Sequence, residues 1–423
     1  MERIERILKE CGIETYLIRK IRRESTELFY IKKKLDLRRI TDVADMTVCI
    51  FKDVEKDGAK LRGRNDIIVD ESMTDDEIRE KIKAAAFAAT CAPNKFFTLP
   101  DPEKSEEIVK DSDLMGMDDK DIADAFVKAL YEEDHDDKAF INSFELFVYN
   151  YHVAIKGSTG VDVAYTKKEV SGEFVAQCKE PQDVETYQGF EYDSLATNDL
   201  KKLVRDTLVL TKDRAVATNM PKKGNYDVVL SGKYLQELMT FFLDRSNAAY
   251  VYQGYSNYEV GKNIQGEDVK GDVLNIRFGV NDPFNDEGIR MIERSFIEKG
   301  VLKTLHGAQR FCDYLGIAKI GTYSKVLLPE GSVKSDELKK NCLHVVNFSD
   351  FQMDSLDGHF KGEIRLAYLY DENGNRSVVT GGSVNGSIIE GMKDLKFSRE
   401  MQKLANYEGP EVIKIRNVAV NGE

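Results

Sequence analysis

The sequence predicts an α+β fold: an N-terminal region of helices and antiparallel sheet, then a C-terminal, mostly antiparallel β domain built around one strand-helix element. Three observations carry this. Residues 227–245 read as a short apolar strand running straight into an amphipathic helix, with Tyr234/Leu235, Leu238/Met239 and Phe241/Phe242 recurring at helical spacing. Strand-like alternation recurs outside that element, as in Leu28 and Tyr30 against Phe29 and Ile31. The third is size, since 423 residues at 42% hydrophobic content can bury the cores of two or three domains.

In chain order, a helix is expected from Ile4 to Cys11, ended at Gly12. Short strands follow at 26–32, 35–41 and 46–52. Ser72 is the expected cap of a helix over 75–89, whose first turn carries Asp75, Asp76 and Glu77 where they favour the helix dipole. Pro93, Pro100 and Pro102 with the charged run 103–107 read as a linker. A second helix, 118–133, leads into strands at 139–151, 152–157, 161–168 and 173–178, then a helix over 195–208. Pro221 to Gly224 marks another boundary, which gives three expected regions: 1–97, 98–220 and 221–423. In the last, Ser231 offers its hydroxyl to the unpaired N–H groups at the helix start. Further strands are expected at 273–278, 342–348, 362–370, 383–389 and 411–420, with a hairpin centred on Glu298-Lys299-Gly300 and a helix over 307–315.

Composition narrows the function. The 61 Lys and Arg against 74 Asp and Glu leave a net charge of -13, which argues against a nucleic-acid backbone as partner. Cys11, Cys49, Cys91, Cys178, Cys312 and Cys342 are scattered singly and read as reduced thiols. No run approaches the roughly 20 apolar residues of a membrane span, so no membrane partner and a cytoplasmic location are expected.

The chemistry-bearing residues are sparse. No two of His135, His152, His306, His344 and His359 lie close enough for a helical metal-binding pair. Cys342 and His344 alternate onto one strand face and would bind zinc only if a third ligand arrived from elsewhere. Asp282, Asp286 and Glu287 cluster in a loop that suits either a hard cation or a turn held by Asx hydrogen bonds. No phosphate-binding loop or nucleophile elbow is present.

The order of signals resembles the TldD/PmbA family of peptidase-related proteins. The resemblance rests on the 227–245 strand and helix, then Ser256 with Gly261, 281–288 with Asp286-Glu287-Gly288, the Ile297 to Leu302 hairpin and the glycine-rich 381–390 stretch. It also covers the N-terminal region, including Ile141-Asn142-Ser143. One kind of family subunit carries an H-E-x-x-x-H helix and a C-terminal cysteine that hold zinc for peptide-bond hydrolysis. The other, the PmbA/TldE type, lacks them. Aligned on Val228-Val229-Leu230, those six positions fall on Thr240 to Arg245, with Thr240 and Arg245 at the histidines and Phe241 at the general-base glutamate, and no cysteine follows Cys342. The resemblance therefore implies a non-catalytic PmbA/TldE-type subunit without a cofactor. Its partner is an H-E-x-x-x-H subunit holding the zinc, or a second copy of the chain, and the substrate is an extended, unfolded peptide, such as a toxin-system antidote or a maturing peptide antibiotic. Phe241, Phe242, Asp244, Asp286 and Glu287 are the residues expected along the substrate groove. The family's description as gyrase modulators finds no support in the acidic balance. The alternatives are a hydrolase with its own metal site, or a homodimeric peptide-binding module.

Overall fold

Long alternating runs gather the first half of the chain into one sheet. The computed structural model describes residues 1–423, and its N-terminal lobe comprises α1 (Glu2–Glu10), β1 (Tyr16–Ile31), β2 (Lys34–Lys56), β3 (Ala59–Val69), α2 (Asp75–Cys91), β4 (Asn94–Lys95), β5 (Ile108–Val109), α3 (Asp119–Glu132), β6 (Ala139–Gly157), β7 (Asp162–Cys178), β8 (Val184–Tyr192) and α4 (Thr197–Val216). All eight strands form one sheet in the order β4-β3-β2-β1-β6-β7-β5, with β8 also on β7. Helices α1 and α2 bury Ile4, Ile7, Ile78 and Ile82 against one part of it. Helices α3 and α4 bury Phe126, Leu130, Leu200 and Val204 against another.

This lobe departs from the sequence expectation in three ways. The short strands of 26–41 are parts of the long hairpin β1–β2, which continues through the basic cluster after Ile18. Cross-strand pairs such as Arg22 with Asp42, at 2.9 and 2.8 Å, let charged residues stay in an extended chain. The proline-rich stretch separates no lobes, because β4 within it and β5 just after it pair with β3 and β7, and the boundary at 97/98 falls inside the sheet. Helix α2 is capped by Thr74 in a reciprocal capping box with Glu77, not by Ser72.

The C-terminal lobe runs through β9 (Gly224–Ser231), α5 (Gly232–Ser246), α6 (Ala248–Tyr252), β10 (Ile276–Gly279), β11 (Arg294–Glu298), β12 (Val301–Leu302), α7 (Gln309–Leu315), β13 (Lys325–Leu327), α8 (Ser335–Leu338), β14 (Cys342–Met353), β15 (His359–Tyr370), β16 (Arg376–Val379), β17 (Ser383–Ser387), α9 (Ile388–Gly391), β18 (Lys396–Phe397), β19 (Met401–Leu404), β20 (Tyr407–Pro410) and β21 (Val412–Asn421). Its two sheets have the orders β12-β11-β10-β13-β20-β19 and β14-β9-β21-β17-β15-β16, with β18 on β21. One cluster of 39 buried residues joins both sheets to α5, so the strand-helix element expected at the centre is there. Tyr234, Leu238, Phe241 and Phe242 are all buried, each contributing about 1.5–3 kcal/mol of hydrophobic stabilisation. No helix is long and apolar enough to cross a membrane.

Candidate functional site

The C-terminal end of α5 is held by polar crosslinks. Arg245 Nη1 donates to the carbonyls of Tyr255 (2.7 Å) and Leu356 (3.0 Å), Nη2 donates to Asn257 Oδ1 (2.5 Å), and the guanidinium lies over the Tyr258 ring. Asp244 accepts a hydrogen bond from Ser355 Oγ at 2.6 Å, and Thr240 Oγ1 bonds back to the Glu237 carbonyl. His306 Nε2 lies 2.9 Å from the Leu243 carbonyl, and its Nδ1 accepts the Tyr323 N–H at 3.0 Å. Those partners assign the neutral Nε2–H tautomer, and burial pushes the imidazole down to about 4.

These residues do not fit a zinc ion. A fixed cation in a cage of oxygens occupies the place where the resemblance puts a histidine, Thr240 is turned onto its own helix, and no three His, Cys, Asp or Glu side chains are arranged so as to hold a metal ion. The groove role expected of Phe241 and Phe242 gives way to packing, because both are fully buried and meet edge to face at 5.3 Å. Cys342 and His344 share β14 but keep separate company. Cys342 packs with Val229, Leu338 and Val412, and burial pushes its thiol up to about 11. His344 Nε2 lies 3.0 Å from Ser231 Oγ. This Ser-His contact is no activated nucleophile: Nδ1 is buried without a partner to orient the ring, and burial pushes the imidazole down to about 3, too weak a base near neutral pH.

The loop 281–288 joins the lobes. Asn285 Oδ1 accepts the N–H groups of Glu287 (3.1 Å) and Ile289 (2.9 Å), the Asx turn its composition suggests. Phe284 inserts among Leu17, Phe51 and Ile155 of the N-terminal sheet. Gly288 is required where it is: its φ is +78°, and a Cβ there would lie 2.4 Å from Val161. Asp286 pairs with Arg19, and Asp282 with Lys167 at 2.8 Å, so both carboxylates tie the lobes together instead of converging on a cation. Glu287 accepts the Gln309 N–H at 3.0 Å, and burial holds its carboxyl above the ordinary range.

Asp286 and Glu287 also line a cavity of about 730 Å³ between the lobes, with Arg19, Arg64 and Gln309. The cavity is one end of a longer cleft. Asn281 and Asp282 are shared with a polar niche of about 150 Å³, and that niche shares Glu191, Tyr192, Lys403 and Leu404 with a groove of about 1080 Å³. Two strand edges without further partners border the groove: β8 ends its sheet beyond β7, and β19 ends its sheet beyond β20. Ser231 and Tyr234, at the start of α5, lie on the same groove. Sequence reading found Asp286 and Glu287 but missed β8, β19 and the niche. The local signal of the niche is Lys325 ahead of the apolar Val326-Leu327-Leu328, which does not say what the lysine faces.

The C-terminal residues 223–422 match the family described as PmbA/TldA metallopeptidase C-terminal domain. Among solved structures, TldE from Thermococcus kodakarensis superposes with a TM-score of 0.78 at 16% identity, covering 99% of this chain and 100% of that one. A protein of Bacteroides thetaiotaomicron described as a candidate modulator of DNA gyrase gives 0.77 at 16% identity over 100% of this chain and 98% of its own. A Thermotoga maritima protein with the same description gives 0.74 at 15% identity over 99% and 98%. No curated protein is similar enough in sequence to match. Residues 223–422 thus carry a C-terminal domain of the PmbA/TldA family, on a fold that the whole chain shares with these solved structures.

Proposed function

We propose that this chain is a PmbA/TldE-type subunit that holds extended peptides and leaves peptide-bond hydrolysis to a zinc-bearing TldD-type partner. One observation carries the reading: the interlobe cleft is bordered by two free strand edges, while the helix that would supply metal ligands ends in a caged guanidinium. A strand edge binds an extended chain through main-chain hydrogen bonds and asks little of its side chains. In that complex zinc belongs to the partner, and this chain's residues shape and close the chamber. Peptidase activity is expected only when this chain is mixed with an H-E-x-x-x-H homologue, and chelator should abolish it. Chelator-resistant hydrolysis by this chain alone would overturn the reading.

On this reading the partner surface is the hairpin arm. Residues 34–45 of β2 pair only with β1, since β3 joins the strand from Met46 onward, and Leu35, Leu37, Ile40 and Val43 are exposed there, Ile40 at 70%. An exposed apolar strand edge pairs with another chain unless it is covered. Ile40→Lys is therefore expected to leave the fold intact and to abolish partner binding in sedimentation, whether the partner is the TldD-type subunit or a second copy. Unchanged assembly would place the interface elsewhere. The competing reading, a hydrolase using Cys342 and His344, requires stoichiometric zinc that disappears in Cys342→Ala/His344→Ala.

A further inference from the structure

The niche midway along the cleft holds a cation with no close counter-ion. Four lysines reach it, and three are already paired: Lys167 with Glu169 (2.7 Å) and Asp282 (2.8 Å), and Lys110 and Lys403 with Asp193 (3.4 and 2.9 Å). Lys325, on β13, makes no side-chain hydrogen bond. Its one carboxylate contact, Glu408, is 4.0 Å away and half exposed, although the Lys325 side chain is itself only 9% exposed. The stem reaches the niche across Gly279, where a Cβ would lie 2.7 Å from Lys325 Cγ. Burial, then the neighbouring Lys403, makes the protonated amine harder to keep, which Asp193 and Glu408 offset only in part, and an ammonium taken from water without a close partner carries a desolvation cost. An anion entering the niche would remove that cost.

We propose that the niche receives the free C-terminal carboxylate of a bound peptide, with Lys325 as its counter-ion. The charge of the lining selects the kind of anion. Five carboxylates, Glu169, Glu191, Asp193, Asp199 and Asp282, accompany the four lysines, so a phosphate dianion meets about twice the repulsion that a singly charged carboxylate does. The place along the cleft selects its source. The niche opens onto the groove beside β19, sharing Lys403 and Leu404 with it, so a chain laid along that edge points its end at Lys325. At about 150 Å³ the niche has room for one terminal residue. This proposal rests on the peptide reading above.

The test pairs two probes. N-acetylglycine and N-acetylglycinamide are titrated into 13C-lysine-labelled protein, with the Lys325 signal identified by its loss in Lys325→Met. An unstructured ten-residue Ala/Ser/Thr peptide is titrated as free acid and as amide. N-acetylglycine alone should shift the Lys325 signal, and the free-acid peptide should bind about tenfold tighter than its amide, the factor expected for one charge-assisted contact. That preference should vanish in Lys325→Met and survive in Lys325→Arg, which separates loss of charge from loss of fold. Equal binding of acid and amide, with the Lys325 signal unmoved, overturns the carboxylate niche and leaves the peptide cleft standing. A Lys325 response to N-acetylglycine with no binding of either peptide overturns the cleft and leaves the niche. No response to any probe overturns both.

Discussion

Replacing Arg245 by Ala is expected to cost about 4 kcal/mol of stability, because a buried cation leaves and its acceptors stay behind. The carbonyls of Tyr255 and Leu356 and the amide oxygen of Asn257 all take their hydrogen bonds from this guanidinium, and no other side chain replaces them. The vacated volume adds a cavity beside Tyr258. Arg245→Lys should recover only part of the loss, since one ammonium cannot span acceptors on two separate loops as a planar guanidinium does. Denaturant unfolding of the three proteins measures this, and a wild-type midpoint for Arg245→Ala would mean that the loops hold without the crosslink. The same substitution creates no zinc site, because Thr240 and Phe241 supply no ligand nitrogen or carboxylate.

Acidification from pH 6.5 is expected to destabilise the protein before its ion pairs titrate. Burial holds His306 at about 4 and His344 at about 3, against 6.5 for a free imidazole. The unfolded chain thus binds protons that the folded chain refuses, so the contribution of each histidine is complete above pH 6.5 and is lost as pH falls toward its folded value. Across that range His306 is worth roughly 3 kcal/mol and His344 roughly 5 kcal/mol. Asp136 and Asp193, held at about 2 by their lysine partners against the effect of burial, release their contributions only at lower pH. Glu287 and Asp206, raised by burial, act in the opposite sense. The imidazole contribution is therefore read by comparison: between pH 6.5 and 4.5, wild type should lose more stability than His344→Gln. Identical slopes would show that His344 takes up its proton without unfolding.

Much of the C-terminal lobe was legible because its signals are local. The apolar strand and helical spacing of 227–245 specify a helix with one apolar face, and α5 buries that face between the two sheets. The Asn285 turn follows from side-chain hydrogen bonds spanning two to four residues. The N-terminal lobe was less legible. Charged residues in β1 and β2 read as strand ends, yet their cross-strand partners lie 20 residues away, as Arg22 and Asp42 do. Prolines that read as a linker cross a sheet whose hydrogen bonds come from distant segments.

The sequence by itself determined the fold class, the central strand-helix element and the residue types at Thr240 to Arg245, which lack the donors of a zinc site. All of these depend on neighbours within one or two turns of chain. Tertiary structure alone decided that Phe241 and Phe242 pack and line no groove, that Asp282 and Asp286 face Lys167 and Arg19, and that β8 and β19 border one cleft. It also decided that Lys325 sits buried in that cleft with its nearest carboxylate, Glu408, 4.0 Å away. Burial and charge pairing are set by whichever segments fold back against a residue: for Phe241 and Phe242 these are distant strands of their own lobe, and for Asp282 and Asp286 they come from the opposite lobe.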